Sequence, residues 1–249
     1  MTFVARVLAA ALSLASAAAF ARDVQVAVAS NFAAPMQKIA AAFEQDTGHR
    51  ARLSIGSTGR FYSQIANGAP FEVLLAGDDE TPEKLVEDKL GVAGSAFTYA
   101  TGRLVLWSSQ AGFVDGAGDV LRSGKIQKLA VADPKLAPYG LAAMEVLTTM
   151  KLETLEPRLV RGESIAQAYQ FVATGNAQAG FVALSQVMQD GKLTTQGSAW
   201  VVPAELHGPI RQDAVLLTRG KDNIAAQSLM VYLHTERVKD ILRSFGYQP

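Results

Sequence analysis

The 249-residue sequence contains no cysteine. That excludes a disulfide scaffold, a thiolate metal site, a cysteine nucleophile and lipidation of an N-terminal cysteine. Charge of one sign is lacking too, since 23 Lys+Arg face 23 Asp+Glu, and no nucleic-acid partner is expected from such a balance. Histidine is scarce: His49, His207 and His234 are the three, and they lack i, i+4 or other ligand spacing, so a histidine metal centre has no support. Neither the P-loop pattern nor GxGxxG occurs, which leaves nucleotide binding without a motif. No apolar run approaches the ~20 residues that span a bilayer. Internal repeats, low-complexity tracts and long linkers are missing as well.

What is present begins with a leader pattern. The chain opens MTFVARVLAAALSLASAAAFARDV, with Arg6 as a positive n-region, Val7 to Ala19 as an apolar h-region and Ala19-Phe20-Ala21 as an A-x-A cleavage site. A signal peptide of residues 1–21 is therefore expected. Cleavage leaves 228 residues with 22 Lys+Arg against 23 Asp+Glu, a net charge of −1. That length suffices for one large domain or two lobes of roughly 100 residues. An exported chain without an anchor is retained best between two membranes, so a periplasmic location and a monomer are expected.

Short β-branched or apolar runs alternate with helical patterns. Val24–Ala29, Leu53–Ile55 and Val73–Ala76 read as strands, each followed by a helix, the third with Thr81 as cap and Pro82 at its first position. In the first helix Met36, Ile39, Ala40 and Phe43 form an i, i+3, i+4, i+7 stripe that Gly48 closes. FTYATGRLVLWS, broken at Gly102, and IRQDAVLLT near the other end are extended and serve as two crossings into a second lobe and back. Between them Leu129–Ala132, Leu159–Val160 and Gly180–Ala183 precede helices from about Gly140, from Ile165 and after Ala183. Ile224–Phe245 reads as one further helical segment, stopped by Gly246. The expected fold class is α/β: two lobes, each a mainly parallel sheet flanked by helices, with a ligand in the cleft between them. The expected boundaries are 22–101 with 214–249 for lobe 1 and 102–213 for lobe 2.

Several strand-to-helix joints carry small or hydroxylated residues: Ser30-Asn31, Gly56-Ser57-Thr58-Gly59, Pro138-Tyr139-Gly140 and Ser164-Ile165. Helix N-termini leave amide donors unpaired and carry a positive dipole end, so several converging on one crevice make an anion site. Any one of them alone is an ordinary cap. Ser164-Ile165-Ala166-Gln167 is a capping box, which makes Ser164 structural and leaves the Ile165 amide free for a ligand.

AVASNFAAPMQKIAAAFEQDTGH, GSTGRFYSQIANGAPFEVLLAGDDETPEKL, FTYATGRLVLWS, DPKLAPYGLAAMEVL, ESIAQAY, GFVALSQ and ILRSFGY together resemble the periplasmic molybdate-binding proteins of ABC transporters in order and spacing, from about Val24 to Tyr247. The resemblance implies the type II periplasmic binding protein fold. It also implies molybdate, or tungstate, as transported ligand, no cofactor, no catalysis and a membrane permease as partner. By position, the family's oxyanion contacts fall on Asn31 with Ser30 beside it, Thr58 with Ser57 beside it, Tyr139, and Ile165 through its backbone amide. Molybdenum is then held only as the oxyanion, through Asn31, Thr58, Tyr139 and Ile165. In many relatives the tyrosine hydroxyl comes from the strand that here reads Gly180-Phe181-Val182-Ala183, with Ala183 at the expected place. A smaller branch carries it in a Pro-Tyr-Gly turn, as at Tyr139.

The chemistry agrees independently. Molybdate at neutral pH is a tetrahedral dianion without protons, so every contact must be a donor. Sulfate shares its charge and shape and differs in size, which makes another oxyanion the alternative reading. From another class, Gly162-Glu163-Ser164-Ile165-Ala166 is a near miss to the G-x-S-x-G elbow, with Asp190 and then His207 or His234 downstream. A serine hydrolase using Ser164 is thus a lesser alternative. Asp78-Asp79-Glu80 suggests a cation site less than it suggests charges complementing a helix N-terminus.

Overall fold

The computed structural model describes residues 21–248. The expected signal peptide lies outside the described residues but for Ala21. Two five-stranded sheets organise the rest. The first contains β1 (Asp23–Ala29), β2 (Arg50–Gly56), β3 (Val73–Leu75), β4 (Phe97–Gly102) and β12 (Ile210–Leu216), in the order β2-β1-β3-β12-β4. The second contains β5 (Leu104–Ser108), β6 (Leu129–Ala132), β7 (Leu159–Gly162), β8 (Ala179–Ala183) and β11 (Ser198–Val201), in the order β11-β5-β8-β6-β7. A two-stranded ribbon, β9 (Met188–Gln189) with β10 (Lys192–Leu193), stands apart from both.

The sheets are mixed rather than mainly parallel. β1 pairs parallel with β2 and β3, and β6 pairs parallel with β7 and β8. By contrast β12 runs antiparallel to β3 and β4, and β5 antiparallel to β8 and β11. The reason is connectivity. β4 carries the chain out of the first sheet, with only Arg103 between it and β5, and β12 brings it back, so β4 and β12 must run in opposite senses when paired.

Helices cover both faces, as buried parallel strands require. They are α1 (Ala33–Thr47), α2 (Thr58–Ala66), α3 (Glu80–Glu87), α4 (Pro138–Thr149), α5 (Ile165–Ala173), α6 (Leu184–Val187), α7 (Ile224–Tyr232) and α8 (Glu236–Ser244). β1 shows how the period-2 pattern divides the core. Val24, Val26 and Val28 pack with Met36, Ile39 and Phe43 of α1 and Leu229 of α7, whereas Ala27 faces a smaller cluster with Phe61 of α2 and Leu85 of α3. The second sheet holds its own core around Leu104, Leu106, Val131, Phe181 and Val182.

Local chemistry corrects two expectations about helices. α3 begins at Glu80, two residues before Pro82, with Asp79 rather than Thr81 at the N-cap, and the Asp78 carboxylate one residue further out accepts the Thr81 N–H at 2.9 Å. The C-terminal segment is two helices, not one. Thr235 caps the second by accepting the Val238 N–H at 3.4 Å, and it also donates to the Tyr232 carbonyl at 2.8 Å. The edge strand β11 and the ribbon were not expected. An edge strand is paired on one side only and its SAWV sequence is too short for a periodic signal.

Candidate functional site

Four strand-to-helix joints meet where the two sheets face each other. β1 ends at Ala29 and turns at once through Ser30-Asn31-Phe32, and β2 ends at Gly56, after which Ser57 precedes Thr58 at the first position of α2. From the other half come Pro138-Tyr139, opening α4, and Ile165, opening α5. Ala29, Ser30, Asn31, Gly56, Ser57, Thr58, Ala137, Pro138, Tyr139 and Ile165 line a tight, partly open cavity of ≈ 10 Å³, about the room one water needs. All six residues singled out in the sequence line it, and all six are buried.

The lining has no Asp, Glu, Lys, Arg or His. Its polarity comes from hydroxyls, amides and the N-terminal ends of α2, α4 and α5, which is the donor set an anion needs. The Ser57 hydroxyl is buried and has no hydrogen-bond partner. Thr58 Oγ1 accepts the Gly77 N–H at 2.9 Å, which occupies a lone pair and leaves the hydroxyl proton to be given elsewhere. Ile165 sits at the first helical position, where the N–H has no intrahelical acceptor.

Asn31 and Tyr139 are placed less simply. Asn31 Nδ2 donates to Gln212 Oε1 at 2.8 Å and to the Tyr247 hydroxyl at 3.0 Å. The Tyr139 hydroxyl accepts from Gln212 Nε2 at 3.1 Å. Ser185 and Tyr247 donate to the Asn31 carbonyl at 2.8 Å and 3.1 Å. Gln212, Tyr247, Ser185 and Tyr99 thus form a buried polar layer beneath the cavity that sequence reasoning missed. One signal was available: in IRQDAVLLT, Gln212 lies between Ile210 and Ala214 on the same face, an amide at an apolar position. Nothing comparable marked Tyr247. Ala183, where many relatives have a tyrosine, is buried and gives its N–H to Gln186 Oε1 at 2.9 Å.

The halves touch around the cavity. The Gly59 N–H donates to the Leu136 carbonyl at 3.1 Å, and Arg60 pairs with Glu163. The capping box at Ser164 is shifted by one residue. Ser164 Oγ accepts the Gln167 N–H at 3.4 Å, but the Gln167 side chain accepts from the Glu163 N–H at 2.8 Å. Ser164 is therefore engaged as a cap, while the His234 ring packs on Phe97 and His207 Nδ1 meets the Gly208 carbonyl. Among the described residues no histidine is hydrogen-bonded to Ser164. A roomier groove nearby includes Asp78, Asp79, Glu80 and Glu145 against Lys135 and Arg211. Its excess of carboxylates makes it the poorer host for an anion. Among the described residues no cluster of three or more His, Asp or Glu could hold a metal ion.

Comparison with known proteins gives a consistent result. A family model for bacterial extracellular solute-binding proteins matches residues 24–248. The molybdate-binding protein ModA of Azotobacter vinelandii is 59% identical over 235 residues, 94% of this chain and 93% of the relative. That of Rhodobacter capsulatus is 50% identical over 244 residues, 98% and 94% respectively. The solved structure of an Azotobacter vinelandii periplasmic molybdate-binding protein superposes with a TM-score of 0.87 at 38% identity, covering 91% of this chain and 99% of that one.

Burial, the leading cause, holds the phenols of Tyr99 and Tyr139 well above the ordinary tyrosine value and raises that of Tyr247. All three are donors at neutral pH. Because the folded pKa values exceed the unfolded value of about 10, the stability they confer is complete below that pH and is lost as pH rises beyond it. Ultraviolet titration should therefore show the phenolate signal of these three appearing only together with alkaline unfolding followed by circular dichroism. A single phase completed while the protein is still folded would contradict this burial.

Proposed function

Because the chain belongs to the family of bacterial extracellular solute-binding proteins, we propose that it binds molybdate in this cavity and delivers it to the membrane permease of an ABC transporter. The observation that carries the reading is the Ser57 hydroxyl, buried without a partner in a cavity that has donors and no carboxylate. An unmade buried hydrogen bond is costly and calls for a ligand to complete it. The high identity to two molybdate-binding proteins over nearly their whole length supports the same ligand. Tungstate, equal in charge and shape, is proposed as a second ligand.

The proposed contacts are Ser30, Asn31, Ser57, Thr58, Tyr139 and the Ile165 amide. With no acceptor side chain required, the site suits an oxyanion that carries no proton and disfavours hydrogen phosphate. Sulfate is distinguished by size alone, and the cavity walls on both halves make size a matter of how far they close. The proposed role is binding without chemistry, which the match to solute-binding proteins supports. The protein is proposed to act in the periplasm as a monomer, after removal of residues 1–21.

We propose lobes of 22–101 with 214–249 and of 102–213. The single-residue crossing at Arg103 and the register shift between Gln212 and Asp213 are the places where backbone pairing can absorb a hinge rotation. Closure would hide the anion from water and give the permease a shape that reports loading.

Three outcomes test this reading. In a thermal-shift panel, molybdate and tungstate at a hundredfold excess over Kd should add about 2.7 kcal/mol, roughly 5–10 °C for a protein of this size. An equal shift with sulfate would reassign the ligand, and no shift with any oxyanion would remove the reading. Ser57→Ala should move two measurements in opposite directions: ligand-free stability holds or rises because an unsatisfied group is removed, while calorimetric affinity falls roughly 10- to 150-fold. Affinity within twofold of the original would take Ser57 out of the site. Small-angle scattering should give a smaller radius of gyration with saturating molybdate than without, and identical radii would count against closure.

A further inference from the structure

Below the cavity, one amide stands between the two side chains whose donors the site needs. Gln212 is wholly buried in β12. Its Oε1 lies 2.8 Å from Asn31 Nδ2 and 3.0 Å from the Tyr99 hydroxyl, and its Nε2 lies 3.1 Å from the Tyr139 hydroxyl. Tyr99 also reaches the Ala76 carbonyl at 2.8 Å, and Asn31 Nδ2 reaches Tyr247 at 3.0 Å. We propose that Gln212 is a positioning residue that makes the Asn31 amide and the Tyr139 hydroxyl alternative donors to the bound oxyanion, never simultaneous ones. The inference rests on the oxyanion reading above and adds to it which protons the ligand receives.

In the first ordering Gln212 donates to the Tyr139 oxygen, so the Tyr139 proton is not spent on Gln212. Asn31 then spends both amide hydrogens inward, on Gln212 and on Tyr247. In the second ordering both amides are turned by 180° about their terminal torsions, and the heavy atoms occupy the same places. Gln212 now donates to the Asn31 oxygen and to Tyr99 and accepts the Tyr139 proton, while Tyr247 turns its one proton from the Asn31 carbonyl, which keeps the Ser185 hydroxyl, to the Asn31 side-chain oxygen. The Asn31 NH2 group stands where its oxygen stood, on the side of Gly77 and Thr58: Asn31 Oδ1 and Thr58 Oγ1 are each 3.3 Å from the position a Cβ on Gly77 would occupy. Asn31 itself lines the cavity and its Nδ2 is turned inward to Gln212 and Tyr247, so the second ordering presents an amide donor where the first presents an oxygen, which a dianion disfavours, as it withdraws the phenol.

Turning one amide without the other is excluded, because the 2.8 Å contact between Asn31 and Gln212 would then set two NH2 groups or two oxygens against each other. The coupling is therefore all or none. Tyr99 adds a bias toward the second ordering. There its single proton goes to the Ala76 carbonyl and its oxygen accepts from Gln212, whereas in the first the proton is contested by Ala76 and Gln212.

The test is a double-mutant cycle on the full mature chain, titrated with sodium molybdate in a calorimeter, with the ligand-free melting temperature of each variant measured alongside. Because either donor can replace the other, Tyr139→Phe and Asn31→Ala should each weaken binding only about threefold. The pair together should weaken it roughly a hundredfold, within the 10- to 150-fold range for a hydrogen bond lost to a charged group. Losses that simply multiply would overturn the inference. In a Gln212→Leu background the two losses should become multiplicative, and coupling that persisted there would remove Gln212 as the cause. Should that variant not fold, side-chain amide NMR supplies the readout: in Tyr139→Phe, molybdate should displace the Asn31 NH2 signals, and unmoved signals would overturn the proposal. Wild-type protein that bound no oxyanion would overturn the functional reading and this inference with it, while tight binding with multiplicative losses would overturn this inference alone.

Discussion

A dianion held away from water with no cation beside it must meet hydrogen-bond donors on every side. Removing even one unit charge from water into a medium of low dielectric costs on the order of 20 kcal/mol before compensation, and the cavity offers no Lys or Arg to offset it. Compensation therefore falls to oriented dipoles and neutral donors, which lose nothing by being fixed in advance. The absence of an aspartate or glutamate from the lining follows from the same constraint, since one carboxylate would undo what several donors supply.

The topology delivers those donors together. Parallel strands point their carboxyl ends the same way, so the turns after β1 and β2 lie side by side, and the helices that follow present their N-termini to a common crevice. The second sheet brings α4 and α5 to it from across the cleft. Close approach of the halves also constrains the crossing between them. A Cβ at Gly102 would stand 2.0 Å from the Tyr139 hydroxyl and 2.4 Å from Gln212 Nε2, so only glycine lets the polar layer lie against β4.

Binding and stability pull in different directions here. Both sheets carry an apolar core, yet between them the fold retains an unpaired serine hydroxyl and a layer of amides and phenols. A hydrophobic layer of the same volume would make fewer demands on geometry. The polar layer persists where the proposed ligand needs protons whose direction is set, and a phenol carries its proton at neutral pH even before burial raises its pKa.

Local sequence determined the helices and strands because their causes are local. The stripe of Met36, Ile39 and Phe43, Gly48 at φ 75°, and Ile165 directly after its Ser164 cap all act within a few residues. Six of the ten cavity residues were legible for the same reason: each sits at a strand-to-helix joint whose small and hydroxylated residues are visible in the chain, and a family resemblance ordered them. Antiparallel pairing of β4 with β12 was not legible, since it follows from a return across more than a hundred residues. Nor was the layer beneath the site, where Asn31 meets Gln212 and Tyr247 at separations of 181 and 216 residues. A side chain's donors and acceptors are written in the sequence, but which of them are already spent is decided by neighbours that only the tertiary structure brings within 3 Å.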